Sequence, residues 1–139
     1  MKRIIILALL IFVSFCSFSE GIKFEESSYK ETLKEAKKQN KLVFIDVFTS
    51  WCGPCTHMAN TVFTDDKVGE FFNKRFLCLK IDAETKLGKK LVKKYKIQGY
   101  PTCIFINGSE EMIYNCIGYK STDAIIEEAN KALLVQQLN

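Results

Sequence analysis

Two cysteines separated by two residues, Cys52 and Cys55, are the side chains in this sequence best suited to chemistry. They lie in the run Trp-Cys-Gly-Pro-Cys at 51–55, directly after an apolar stretch at 42–48. The pair therefore falls where a predicted strand ends and a helix begins. Backbone N–H groups at a helix N-terminus stabilise negative charge and so favour a thiolate there. Because two sulfurs on one helical turn can reach disulfide distance, the spacing predicts a redox-active dithiol.

The rest of the composition argues against other kinds of site. A zinc module needs four ligands and usually has paired motifs, whereas this chain has one C-x-x-C and a single histidine, His57. Covalent haem attachment needs histidine after the second cysteine, and Thr56 stands there. The net charge of +4 is no signature of a nucleic-acid-binding protein. We expect no metal, no cofactor and no nucleic-acid partner.

The first residues have the pattern of a signal peptide. Lys2 and Arg3 precede an unbroken apolar run at 4–13, and Ser17-Phe18-Ser19 offers small residues at the −3 and −1 positions of a cleavage site. We predict a signal peptide at 1–19 and one domain at 20–139. An uncleaved membrane anchor is less favoured because the apolar run is short. A lipoprotein anchored through Cys16 is also less favoured, since Phe15 replaces the expected small residue.

Hydrophobic patterning and capping signals predict the order β-α-β-α-α-β-α-β-β-α. The predicted strands lie at 22–24, 42–48, 76–82, 103–106 and 111–117, with 42–48 and 76–82 as central strands. Helix starts are indicated by Ser28 in a capping box, by Pro54, by Asp65 or Asp66, by Glu84, and by Ser121 or Thr122. Alternating strands and helices favour an α/β sheet, to which the terminal hairpin adds an antiparallel edge.

Over nearly all of 22–135 the chain resembles the thioredoxin superfamily. The family's active-site motif is present at 51–55, Asp46 stands six residues before Cys52, and Tyr100-Pro101-Thr102 matches the family's cis-proline loop. Gly108 and Gly118 match the glycines of its last hairpin. The stretch 61–68 is similar to an insertion in the C-terminal domain of the disulfide reductase DsbD and in related exported proteins. The resemblance implies a three-layer α/β/α thioredoxin fold with a central mixed sheet of four to five strands.

The same resemblance implies roles for individual residues. Cys52 is expected to be the exposed nucleophile and Cys55 the more buried resolving thiol, the two forming a redox-active disulfide. Asp46, in an otherwise apolar strand, is expected to be buried and to exchange a proton with Cys55. A further set is expected to bind substrate: Trp51, Gly53, Pro54, Tyr100, Pro101 and Thr102. His57 is expected to be a partly exposed helix residue.

The resemblance also implies a thiol-disulfide oxidoreductase. The Gly-Pro insert is the one found in reducing members, which favours reduction of protein disulfides in the periplasm, with a membrane reductase as electron donor and the protein as a monomer. Other possibilities are a thiol oxidase, a disulfide isomerase, a reductant for cytochrome maturation and, in a different class, a redox-inert binding module.

Three further cysteines, Cys78, Cys103 and Cys116, lie in apolar strand-like runs and are expected to be buried thiols. Cys103 and Cys116 are directly opposite each other if the hairpin turns between 109 and 110. A two-residue loop at Gly108-Ser109 would separate them. We expect both thiols to stay reduced under mild oxidation.

Overall fold

Residues 20–139 are described by a computed structural model, and the predicted signal peptide at 1–19 lies outside them. Nine helices and strands follow one another in this part of the chain: α1 (Tyr29–Gln39), β1 (Leu42–Phe48), α2 (Gly53–Thr61), α3 (Asp66–Arg75), β2 (Phe76–Asp82), α4 (Lys86–Lys94), β3 (Thr102–Ile106), β4 (Met112–Ile117) and α5 (Thr122–Leu138).

The four strands form one mixed sheet in the order β2-β1-β3-β4. β1 is parallel to β2 and antiparallel to β3, and β3 and β4 form the antiparallel hairpin. Helices cover both faces, which confirms the predicted three-layer α/β/α arrangement.

Alternation along β1 divides the core into two layers. Leu42 and Phe44 contribute to a cluster that also contains Met58 of α2, together with residues of α3 and α5. Val43 and Ile45 point to the other face, where the cluster includes residues of α1 and α4. β1 is buried on both faces, as its nearly continuous apolar sequence predicts.

The strand at 76–82 is not central, contrary to the prediction. Within residues 20–139 it is the outer strand of the sheet, and beyond it only Phe24 makes a bridge, to Cys78. The predicted first strand at 22–24 is reduced to this bridge because the Asn73 side chain forms hydrogen bonds with backbone groups of the residues that precede Phe24. Asn73 accepts from the Lys23 N–H at 2.9 Å and donates to the Gly21 carbonyl at 2.9 Å.

Local capping sets most of the helix starts. The capping box of Ser28 and Glu31 is present, Asp65 accepts from two N–H groups of α3, and Ser121 caps α5. α4 begins at Lys86, two residues later than expected from the apolar pattern, because the Thr85 hydroxyl is its N-cap.

Candidate active site

The cysteine pair lies at the N-terminus of α2. Cys52 is the N-cap residue, and the Cys55 N–H donates to its sulfur at 3.2 Å. Cys52 and Cys55 form a disulfide with their Cα atoms 5.3 Å apart. Pro54 fits in this first turn because the N–H that proline lacks has no partner inside the helix there. The backbone thus stabilises negative charge on the Cys52 sulfur when the disulfide opens.

The exposed fractions of the two cysteines differ less than the sequence suggested. Cys52 is 6% exposed and Cys55 4%, so the expectation of an exposed Cys52 is wrong for the disulfide-bonded protein. As the cap residue, Cys52 turns its sulfur over the first turn toward the Cys55 N–H instead of outward. The surrounding residues are open, since Trp51, Gly53 and Pro54 are all exposed.

Asp46 is buried in β1, as its apolar surroundings predict. Its side chain is on the sheet face of Phe44, the face covered by α2, and neither carboxylate oxygen has a hydrogen-bond partner within residues 20–139. Loss of hydration raises the pKa of Asp46 to about 7, against a smaller lowering by Lys80 on β2. A carboxyl group with this pKa can accept and release a proton near neutral pH.

Trp51 is held at the surface by two contacts. Its indole Nε1 donates to a carboxylate oxygen of Glu84 at 3.2 Å, and its ring stands edge-on to Tyr100 with centroids 6.1 Å apart. The indole remains 68% exposed. Glu84, in the turn after β2, was not identified from the sequence. No motif distinguishes it there, because the contact depends on the fold bringing β2 beside the end of β1.

The loop before β3 presents only part of the predicted set to solvent. The Tyr100–Pro101 peptide is cis. Pro101 is buried and its carbonyl accepts from the Gly118 N–H at 2.8 Å. Thr102 is also buried, and its hydroxyl donates to the Gly99 carbonyl at 2.7 Å. Tyr100, which is half-buried, is therefore the loop side chain that borders the surface.

We define an apolar rim by four residues: Trp51, which precedes Cys52 in the chain, Tyr100, which contacts Trp51, and Ile117 and Tyr119 at and just after the end of β4. Ile117 is 54% exposed, lies opposite Thr102 on β4 and approaches Gly99. The exposed Tyr119 ring lies 5.4 Å from that of His57 on α2. Ile117 and Tyr119 were not predicted as site residues, since the approach of Ile117 to Gly99 and of Tyr119 to His57 depends on how the hairpin folds back.

Within residues 20–139, none of the helices has both the length and the apolar character needed to cross a membrane.

Comparison with known proteins identifies the family. The model of the thioredoxin-like domain matches residues 29–133. The chain is 40% identical to a Bacteroides thetaiotaomicron protein proposed to be a disulphide isomerase, whose solution structure superposes with a TM-score of 0.73 over 83% of this chain and 95% of that one.

Two further matches involve DsbD. The C-terminal domain of DsbD from Neisseria meningitidis, in its oxidised form, shares the fold, with 22% identity and a TM-score of 0.63 over 80% of this chain and 98% of that one. The thiol:disulfide interchange protein DsbD of Pseudomonas fluorescens is 30% identical over 98 residues, which is 68% of this chain and 17% of that protein. The chain thus spans less than a fifth of that relative. The Cys52–Cys55 pair is spaced as in a C-x-x-C active site, and the chain belongs to the thioredoxin-like domain family.

Proposed function

We propose that this protein reduces disulfides of other proteins outside the cytosol, using Cys52 and Cys55 as a dithiol. The observation that carries the proposal is the Cys52 sulfur at the start of α2, where it accepts a hydrogen bond from the Cys55 N–H. A thiolate at that position is stabilised by the backbone and is the reactive form in disulfide exchange.

In the first step the Cys52 thiolate attacks one sulfur of the substrate disulfide. A bond forms between Cys52 and that sulfur, the substrate S–S bond breaks, and the second substrate sulfur leaves as a thiolate that takes up a proton. The product is a mixed disulfide between enzyme and substrate.

In the second step Cys55 loses its proton and attacks the Cys52 sulfur. The remaining substrate sulfur leaves as a thiolate, and the Cys52–Cys55 disulfide forms, so two electrons have passed to the substrate. We assign the proton of Cys55 to Asp46, reached through water. The support for Asp46 is its burial, its unpaired carboxylate oxygens and its pKa of about 7.

The apolar rim is the surface that we propose for an unfolded or extended substrate segment. Trp51, Ile117 and Tyr119 are large, exposed and mainly apolar. Trp51 directly precedes Cys52 in the chain, and Tyr119 contacts His57 on α2. Exposed groups of this kind favour contact with another protein over contact with water. The buried Pro101 and Thr102 support the loop that carries Tyr100.

Net reduction requires that the disulfide be reduced again by an outside donor of two electrons. We assign this role to a membrane dithiol reductase, because the signal-like sequence at 1–19 favours a place outside the cytosol and the periplasm is kept oxidising. The Gly-Pro insert and the lack of a histidine between the cysteines support the reducing direction.

Substitution of each cysteine tests the assignment of roles. We expect Cys52→Ser to abolish reduction of insulin disulfides. We expect Cys55→Ser to accumulate a mixed disulfide through Cys52, detected by gel shift and peptide mass. Trapped species attached through Cys55 would reverse the roles, and a reduction potential near the strongly oxidising value of about −120 mV would rule out a reductase.

A disulfide isomerase is the second candidate, favoured by the 40% identical Bacteroides protein proposed to have that activity. The two activities differ in their need for Cys55. An isomerase can act through the nucleophile alone, whereas net reduction needs the second thiol to release the product. Reactivation of scrambled ribonuclease by the Cys55→Ser variant, at a rate close to that of the wild type, would favour the isomerase.

A further inference from the structure

A second pair of thiols lies in the sheet, away from the N-terminus of α2. Cys103 on β3 and Cys116 on β4 are directly opposite each other, so the structure resolves the register that the sequence left open. Both are free thiols, as expected, and both belong to the core layer that also contains Met58 of α2. Two features set this register: the loop at 107–111, in which the Asn107 side chain accepts from two backbone N–H groups, and the shift in pairing between Phe105 and Ile106.

The hydrogen bonds between β3 and β4 show whether Cys103 and Cys116 are a hydrogen-bonded or a non-hydrogen-bonded pair. The Gly118 N–H donates to the Pro101 carbonyl, and the register places these two residues opposite each other. Since hydrogen-bonded and non-hydrogen-bonded pairs alternate, Cys103 and Cys116, two residues further along, form a hydrogen-bonded pair. The Cα atoms of such a pair are about 5.5 Å apart, which is within the range of disulfides.

The distance between the two Cβ atoms restricts disulfide formation more than the distance between the Cα atoms does. Opposed Cβ atoms are about 4.5–5.5 Å apart, with hydrogen-bonded pairs toward the longer end, and a disulfide prefers about 3.5–4.5 Å, so the strands must approach each other for a bond to form. Bonds that need such an adjustment have more oxidising potentials than relaxed ones. The pair is therefore expected to stay reduced when the Cys52–Cys55 disulfide forms.

The two thiols differ in access and charge. Cys103 is 1% exposed and Cys116 is 7% exposed. Contact with the Cys103 thiol and the nearby cation of Lys120 lower the pKa of Cys116, against the opposing effect of burial. Contact with Cys116, then burial and the neighbouring Asp46, raise the pKa of Cys103. Cys116 is thus the better nucleophile and Cys103 the better shielded partner.

We propose that Cys103 and Cys116 are a second redox couple, which a small-molecule disulfide oxidises to a cross-strand bridge. The Cys116 thiolate attacks one sulfur of the small disulfide and releases one small thiolate. Cys103 then gives its proton to that thiolate and attacks the Cys116 sulfur. The second small thiolate leaves and takes up from solvent the proton that Cys116 lost when it ionised. One disulfide is reduced to two thiols, and two protein thiols become one disulfide. The bridge would join edge strand β4 to β3 beside Asp46.

The test uses the full chain with Cys16→Ser, so that five cysteines remain, equilibrated in its native state with rising ratios of oxidised to reduced glutathione. After acid quench and denaturation, alkylation and mass give the free thiols. We expect a plateau at three, when only Cys52–Cys55 is oxidised, and a fall to one at higher ratios. Three free thiols at every ratio that leaves the fold intact would overturn the proposal.

Peptide mapping identifies the bridge. Between Cys103 and Cys116 there is no lysine or arginine, but Glu110 and Glu111 lie there, so glutamyl endopeptidase separates the two cysteines unless a disulfide joins them. We expect the two peptides to remain linked only at the higher ratios. A fall in thiols that comes from a bond to Cys78 or from glutathione adducts alone would also overturn the proposal.

Three variants serve as controls. Cys78→Ser should keep the second transition, with free thiols falling from two to none. Cys116→Ser should remove the second transition and leave two free thiols at every ratio that oxidises Cys52–Cys55. Cys103→Ser should collect one glutathione on Cys116. An adduct on Cys103 in the Cys116→Ser protein, with none on Cys116 in the Cys103→Ser protein, would overturn the order of attack.

Discussion

The buried Asp46 carboxyl group lowers the stability of the fold when it is ionised, and it can also accept a proton. Its carboxyl group is 1% exposed and has no hydrogen-bond partner in the described part of the chain. A buried group of this kind is tolerated only because it can be protonated near neutral pH, which its pKa of about 7 permits. The same property suits it to take a proton from a resolving thiol.

This cost predicts how stability depends on pH. The folded pKa of Asp46, about 7, is above its ordinary value of 3.8, so folding favours the protonated form. The contribution of protonated Asp46 to the free energy of unfolding is fully present below pH 4. It is lost as pH rises to about 7, because the unfolded chain ionises freely there and the folded protein does not. We expect Asp46→Asn to remove this loss and to raise the free energy of unfolding at pH 8 by up to roughly 4 kcal/mol.

Urea unfolding at pH 4 and pH 8 measures the effect. Asp123→Asn is a matched control, because the exposed Asp123 side chain on α5 forms a surface ion pair with Lys67 and its replacement should change stability little. An Asp46→Asn protein no more stable than the wild type at pH 8 would show that Asp46 is hydrated or partnered in solution.

At the scale of elements, α4 packs unusually close to the end of β2. A Cβ atom placed on Gly88 would lie 1.9 Å from the Asp82 carbonyl oxygen and 2.6 Å from the Ala83 Cα. Only glycine permits this approach, which also sets the path of the turn that carries Glu84, the partner of Trp51.

We therefore expect Gly88→Ala to destabilise the protein, although alanine normally stabilises a helix by up to about 1 kcal/mol relative to glycine. The clash is with backbone atoms, and overpacking of this kind costs about 1–3 kcal/mol. Thermal unfolding measures the change. Gly53→Ala in the first turn of α2 is the control, since nothing lies within 4 Å of its added Cβ. Equal stabilities for the two variants would mean that α4 can shift at no cost.

At the scale of the whole molecule, the cysteine pair and a polar network occupy different regions. Tyr29 of α1 donates to Glu110 of the hairpin loop at 2.9 Å, Tyr95 donates to the Glu110 carbonyl, and Lys94 pairs with the Glu110 carboxylate at 3.1 Å. These contacts join α1, the end of α4 and the hairpin loop. The network leaves the N-terminus of α2 and its apolar rim free for contact with substrate.

The location of the molecule depends on its first residues. We expect the chain, expressed in a bacterium with a periplasm, to be recovered there with Glu20 as its first residue, because Ser17 and Ser19 suit a signal peptidase. Intact mass and N-terminal sequencing measure this. Ser19→Arg is the control and should block cleavage. Retention of the uncleaved chain in the membrane would favour the anchor, and a lipid on Cys16 would favour the lipoprotein.

The sequence by itself determined the features that depend on neighbours along the chain. The C-x-x-C pair with its Gly-Pro insert, the apolar strand that carries Asp46 and the capping residues Ser28 and Ser121 are all local patterns. Their consequences follow from backbone geometry within one or two turns. For this reason the fold class, most element bounds and the position of the cysteine pair were predictable.

Only the tertiary structure decided which distant segments meet. Glu84 approaches Trp51 across 33 positions, and Asn73 binds backbone groups of the first segment about 50 positions away, beside the single bridge that this segment makes to β2. The burial of Cys52 depends on packing, and the opposition of Cys103 to Cys116 depends on the hairpin register. Such contacts arise from side-chain fit across the whole core, which no periodicity along the chain records.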